Sequence, residues 1–100
     1  MKIYVYKLKN KEILTTWAEE LKQRETEAIQ TLEEENVLAE SIHTFEINGE
    51  TYGVGFMVGK EGGIKPPNME REINQKHRQV IIESIEEIIN VKEVYSFRNK

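Results

Sequence analysis

The 100-residue sequence contains no cysteine. This absence excludes disulfide bonds, zinc sites built from thiolates, and catalysis by a thiol nucleophile. Long apolar runs are also missing, so no segment is predicted to span a membrane. The apolar stretch at residues 3–6 is too short to be the core of a signal peptide. Together these absences predict a cytoplasmic protein without a membrane partner.

The chain also lacks an excess of positive charge, because 18 acidic residues outweigh 14 basic ones and give a formal net charge of −4. Proteins that bind nucleic acid usually show a basic balance, so we expect no nucleic-acid partner. The length fits a single domain over residues 1–100, with enough chain to bury one hydrophobic core.

The clearest local signal is Asn48-Gly49, which separates two strand-like segments within residues 37–59. Both residues tolerate positive φ, so the pair predicts a hairpin with a type I′ turn. With a two-residue loop, one sheet face carries the opposed pairs Phe45–Tyr52, His43–Val54 and Ser41–Phe56. The other face then carries Leu38, Glu40, Ile42, Thr44, Gly53, Gly55 and Met57.

Apolar residues at intervals of three to four predict two helices, at residues 11–35 and 69–90. Glu25 falls near the middle of the apolar stripe of the first helix. A buried, unpaired carboxylate is costly, so Glu25 should pair with His77 or Arg24, or the helix should bend and release it.

Strand-forming residues predict two further strands, at residues 2–8 and 91–97, and the glycines and prolines of residues 60–67 predict a loop that acts as a lid. The order β-α-β-β-α-β is typical of an α+β, ferredoxin-like sandwich: a four-stranded antiparallel sheet with two helices on one face. Because the first strand is apolar on both sides, the second face should also be covered. We therefore expect a homodimer through the sheet face, which is a dimeric α+β barrel.

The sequence resembles an uncharacterised bacterial family of small dimeric α+β barrel proteins. The residues that carry the resemblance are Trp17, Glu20-Leu21, Arg24, Glu27-Ala28, Thr31-Leu32, Glu35, Val37, Glu40-Ser41, Ile73-Asn74 and His77. Asn74 replaces the usual acid of that family, and His43 replaces an aromatic residue. The resemblance implies the barrel fold. The wider superfamily includes cofactor-free monooxygenases, haem-degrading enzymes and small-ligand binders, so the resemblance implies no single activity.

His77 is the candidate catalytic residue, because it lies within the apolar stripe of the second helix. A buried imidazole can act as a general base or bind a ligand. The alternative is a core histidine with a hydrogen-bond partner, for which Glu25, Arg24, Glu40 and Tyr52 are the candidates.

Four more residues are candidate ligand-binding residues: Arg24, Glu27, Glu40 and Tyr52. Arg24 and Glu27 are spaced for a surface ion pair, and Arg24 alternatively binds a carboxylate or phosphate group. Glu40 lies on the glycine-rich sheet face, where it lines a pocket or pairs across the dimer.

No metal site is predicted, since His43 and His77 lack ligand spacing, and no cofactor motif is present. The favoured function is that of a small-molecule-binding protein. The alternatives are a cofactor-independent monooxygenase or isomerase with His77 as base, and a structural dimer that acts through a protein partner. Whether the protein is an enzyme stays open at this point.

Overall fold

A computed structural model describes residues 1–99. Its elements in chain order are β1 (Lys2–Leu8), α1 (Lys11–Gln23), α2 (Glu25–Glu34), β2 (Val37–Ile47), β3 (Glu50–Gly59), α3 (Glu72–Ser84) and β4 (Ile85–Ile89). The four strands form one sheet in the order β2-β3-β1-β4, and all three strand pairings are antiparallel. This architecture confirms the predicted α+β, ferredoxin-like fold.

The hairpin between β2 and β3 has the predicted turn and register. Asn48 and Gly49 both adopt positive φ, at 51° and 78°, as a type I′ turn requires. Phe45 lies opposite Tyr52 and Glu40 lies opposite Met57. The alternation of the sequence therefore determines which side chains share each face of the sheet.

The first predicted helix covers the expected residues but is broken at Arg24. The backbone of Arg24 leaves the helical region, with φ −108° and ψ 33°, and α2 starts at the next residue. Directly after this break, Glu25 is exposed. Of the three outcomes considered for Glu25, the structure has the bent helix.

The second predicted helix is shorter than expected, and the last strand begins earlier. We predicted a helix at residues 69–90 and a strand at 91–97, whereas α3 ends at Ser84 and β4 follows directly. The carbonyl oxygen of Ser84 accepts hydrogen bonds from the backbone N–H groups of Lys9 and Asn10. The end of β1 thus holds the helix terminus, and residues 85–89 pair with the edge of β1 instead of continuing the helix.

The helices pack on one face of the sheet. The core there consists of Leu8 from β1, Leu14 and Trp17 from α1, and Ile73 and Val80 from α3. These residues occupy the end of the sandwich near the end of β1. The opposite sheet face carries no helix within the described residues. We call it the open sheet face: Ile3, Val5, Phe45, Tyr52, Val54 and Phe56.

Among residues 1–99, no helix is long and apolar enough to cross a membrane.

Candidate functional site

A cleft of about 990 Å³ lies between the helices and the sheet, beside the core. Most of its lining is apolar and comes from the sheet, from α2 and α3, and from the loop before α3; it includes Tyr4, Tyr6, Ile42, Gly55, Ala28, Leu32, Pro66, Pro67, Ile73 and Ile81. Gly55 of β3 lines the cleft on the sheet side and has no side chain to extend into it. A Cβ atom there would lie 3.7 Å from Ile42 Cγ1 and 3.9 Å from Tyr4 Cβ, which is ordinary contact. A small side chain could therefore be placed at Gly55 without a steric clash.

The loop at residues 60–67, which we predicted to be a lid, lines the cleft with Pro66 and Pro67. Asn36 ends α2 in the left-handed conformation, with φ 58°. Its side-chain amide donates hydrogen bonds to the carbonyl oxygens of Glu61 and Gly63, at 3.0 and 2.8 Å. Lys65 also donates its backbone N–H to the carbonyl oxygen of Glu35. These bonds tie the start of the loop to the end of α2.

His77 lines the cleft, and its hydrogen-bond partner is Trp17. The indole N–H of Trp17 donates to His77 Nδ1 over 2.9 Å. None of the partners proposed from the sequence makes this bond, because Trp17 faces α3 from α1, where the two helices pack. Trp17 is 2% exposed, so the histidine satisfies a donor that water does not reach.

This hydrogen bond determines the tautomer of His77. Because Nδ1 accepts the hydrogen bond from the indole, Nδ1 must hold a lone pair. The neutral ring therefore carries its proton on Nε2. Burial lowers the pKa of His77, which favours the neutral ring at pH 7. His77 thus carries an N–H donor at Nε2.

Three carboxylates also line the cleft: the exposed Glu25 at the start of α2, Glu35 just after the end of α2, and Glu40 on β2. Glu40 keeps contact with solvent, but the surrounding walls remove part of its hydration, and this desolvation raises its pKa. Desolvation and then repulsion from Glu40 and Glu34 raise the pKa of Glu35. No hydrogen bond or ion pair within residues 1–99 neutralises the carboxylates of Glu35 and Glu40.

The tyrosine hydroxyls share this environment. The rings of Tyr4 and Tyr6 stack with centroids 6.3 Å apart. Desolvation raises the pKa of Tyr6, and Tyr4 and the negative charge of Glu40 raise it further. Tyr6 therefore stays protonated and offers a hydroxyl group that can both donate and accept.

Arg24 and Glu27 lie outside the cleft and bind each other. The guanidinium of Arg24 is also bonded to Glu20 and Glu72, at 2.9 and 2.8 Å. Its bonds to Glu72, Glu27 and Glu20, in that order, raise the pKa of Arg24. With three carboxylates around it, Arg24 joins α1, α2 and α3 at the helix break. The structure therefore does not bring Arg24 and Glu27 into a site with His77.

Tyr52 lies on the open sheet face, opposite Lys7 and Phe45. Its ring stacks on Phe45 with centroids 5.5 Å apart. Tyr52, a candidate ligand-binding residue, therefore does not line the helix-side cleft, because β3 directs alternate side chains to opposite faces and Gly53 and Gly55 take the helix side.

The structure thus brings together two of the five predicted site residues, Glu40 and His77. Sequence reasoning missed Tyr4, Tyr6 and Glu35. The alternation of β1 already placed both tyrosines on one face, so that signal was available. The sequence does not distinguish Glu35 from the neighbouring glutamates at the end of its helix, and only the fold shows that Glu35 lines the cleft.

Metal binding has no support in the geometry. Within residues 1–99, no three histidine or acidic side chains lie close enough together to hold a metal ion. The polar groups of the cleft are instead spread over its apolar lining, as in sites for organic ligands.

Comparison with curated proteins and with solved structures finds no match. A family model matches residues 2–98, which is nearly the whole chain. The chain therefore belongs to a family of unknown function, DUF6176.

Proposed function

We propose that the protein binds a small, largely apolar molecule in the cleft beneath α2 and α3. The observation that carries this proposal is the combination of an apolar cleft of about 990 Å³ with a few polar groups that lack protein partners among residues 1–99. Ligand sites typically measure about 300–1,000 Å³ and combine apolar walls with a few polar groups that orient the ligand.

The polar groups restrict the chemistry of the ligand. Glu35 and Glu40 accept hydrogen bonds, and their mutual repulsion favours a donor or a positive charge between them. His77 donates from Nε2, and Tyr6 can serve either role. The ligand that fits best is an apolar body with an amine or hydroxyl group at the carboxylate end.

The test is native mass spectrometry of the purified protein, to detect a co-purified small molecule. Gly55→Leu should fill the cleft from its floor and abolish the added mass. Val54→Leu, one residue away on the open sheet face, is the matched control and should retain the ligand. If both variants retain the ligand equally, the ligand does not bind in the cleft.

A catalytic role for His77 as general base has less support. With Nδ1 occupied by Trp17, the free ring nitrogen in the neutral state carries the proton and cannot accept another. A base for a cofactor-independent reaction in this cleft would instead be Glu40, because its raised pKa brings the carboxylate closer to the working range of a base. A Glu40→Gln variant that retains the ligand but loses turnover would support Glu40 as the base.

We also propose that two copies associate through the open sheet face. Its central residues are apolar, and Ile3 and Phe45 are each 39% exposed. A contiguous apolar patch of this kind marks an association surface. A two-fold dimer covers the patch with an identical copy of itself.

A further inference from the structure

The C-terminal segment has strand-forming residues but no strand partner among residues 1–99. We call residues 90–99 the C-terminal arm. It follows β4 and has no regular structure. Val94 is 91% exposed, Tyr95 73% and Phe97 89%, and the rings of Tyr95 and Phe97 contact each other with centroids 5.1 Å apart. Aromatic and β-branched residues favour a strand, so the arm lacks only a neighbouring strand.

The sheet also has a long edge to which no strand of the described part of the chain pairs. β2 is the outermost strand, and its 11 residues bond only to β3 within the described residues. Ile47 and Glu50 flank the turn, so their backbone groups bond to each other, and antiparallel pairing then alternates along β2. The groups of Ile42, Thr44 and Glu46 consequently point outward. An unprotected edge of this length promotes pairing with another chain.

We propose that the C-terminal arm of each copy adds as a fifth strand to the β2 edge of a second copy. The exchange is reciprocal, and it rests on the association of two copies proposed above. The arm supplies backbone hydrogen bonds to the outward groups of β2, as in recognition by strand addition. Its occupant is a second copy of this chain rather than another protein, because the same chain carries both complementary surfaces.

The topology favours exchange between copies over pairing within one copy. β4 and β2 lie at opposite edges with β1 and β3 between them, so an arm reaches its own β2 only by crossing a whole sheet face. In a face-to-face dimer with a two-fold axis parallel to the strands, the β4 edge of each sheet lies over the β2 edge of the other. The sheets are then about 10 Å apart, and a ten-residue extended arm spans about 33 Å.

The area is sufficient for a stable contact. An aromatic side chain buries about 150–250 Å², so Tyr95 and Phe97, which would share one face of the added strand, together bury about 400 Å² of one arm. Two arms and the surfaces that receive them then contribute about 1,600 Å², the size of a standard stable interface.

The test measures amide hydrogen exchange in the full-length protein at concentrations above and below the dimer dissociation constant. We expect the amides of Ile42, Thr44 and Glu46 to exchange at least about tenfold more slowly in the dimer than in the monomer. Val94→Pro and Tyr95→Pro form the matched variants. Neighbouring residues of a strand point their N–H groups to opposite sides, so one of the two prolines removes a bond to β2. Val94→Thr is the control that keeps the backbone donor.

The outcomes are distinct. Protection that depends on concentration and is lost in one of the proline variants supports arm exchange. A dimer whose β2 edge exchanges freely overturns arm exchange and leaves the sheet-face dimer intact. Protection that persists in the monomer means that the arm folds onto its own chain, which also overturns the proposal. A protein that is monomeric at every concentration overturns both the arm exchange and the dimer.

Discussion

The bond between Trp17 and His77 shows how one polar contact constrains two side chains. The indole is buried in the core and needs an acceptor, and the imidazole at the cleft provides it. The bond thereby determines the tautomer of the histidine. The two ring nitrogens therefore differ: Nδ1 accepts the bond from Trp17, and Nε2 carries the proton of the neutral ring.

His77→Phe should lower the free energy of unfolding by about 1–3 kcal/mol, because the buried indole N–H then lacks an acceptor. Chemical denaturation of His77→Phe, Trp17→Phe and the double variant measures the coupling between the two residues. If the two single effects add without coupling, the hydrogen bond contributes nothing to stability.

Glu40→Gln should stabilise the fold at pH 7 by less than about 1 kcal/mol, because the wild-type carboxylate is partly desolvated yet still reaches water. The folded-state pKa of Glu40 is raised, so the folded protein binds a proton at higher pH than the unfolded chain. Acidification through the raised pKa towards 4.5 therefore relieves the cost of the charge in the wild type.

The advantage of Glu40→Gln should consequently disappear below pH 4.5, which melting temperatures across the pH range would show. Glu46→Gln, which neutralises a residue of β2 outside the cleft, is the control and should not raise the melting temperature at pH 7. A constant difference between wild type and Glu40→Gln at every pH would contradict the assignment.

At the scale of elements, the hairpin and the last helix follow different rules. The β2–β3 hairpin is specified locally, since positive φ at Asn48 and Gly49 sets the turn and the turn sets the register. The boundary between α3 and β4 is specified by contacts distant in sequence. The carbonyl oxygen of Ser84 accepts hydrogen bonds from Lys9 and Asn10 at the end of the helix. Residues 85–89 then pair with the edge of β1.

Gly49→Val should destabilise the protein by about 1–2 kcal/mol, because a β-branched residue resists positive φ. No atom lies within 4 Å of a Cβ placed at Gly49, so the effect is one of backbone conformation and not of a clash. Gly49→Asn, which tolerates this conformation, should cost much less. Equal melting temperatures for the two variants would show that the backbone of Gly49 does not set the stability of the turn.

At the scale of the whole molecule, the apolar surfaces are distributed unevenly. The core lies at one end of the helix side, the cleft lies beside it, and the open sheet face and the C-terminal arm present further apolar surface. A second copy that covers the sheet face and receives the arm would convert these exposed surfaces into an interface.

Sedimentation equilibrium at micromolar concentration should accordingly give twice the chain mass of 11.7 kDa. Val54→Lys places a charge in the middle of the open sheet face and should yield a folded monomer, since an unpaired buried charge is costly. Thr51→Lys, on the other face of β3, should leave the dimer intact. A wild-type monomer at that concentration would refute association through the sheet.

The sequence by itself determined the features that depend on neighbours along the chain. Alternation and the Asn48-Gly49 turn specified the hairpin and its two faces, and the position of His77 in an apolar stripe correctly directed it toward the sheet side. These features are local because a strand repeats every two residues and a helix every 3.6.

Only the tertiary structure decided the break at Arg24, the start of β4 and the partner of His77. Three carboxylates from different helices meet Arg24, the isoleucines of residues 81–89 suit a helix and a strand equally, and Trp17 lies 60 residues from His77. Periodicity does not distinguish such alternatives, because the deciding hydrogen bonds and strand pairings come from segments that the fold alone brings together.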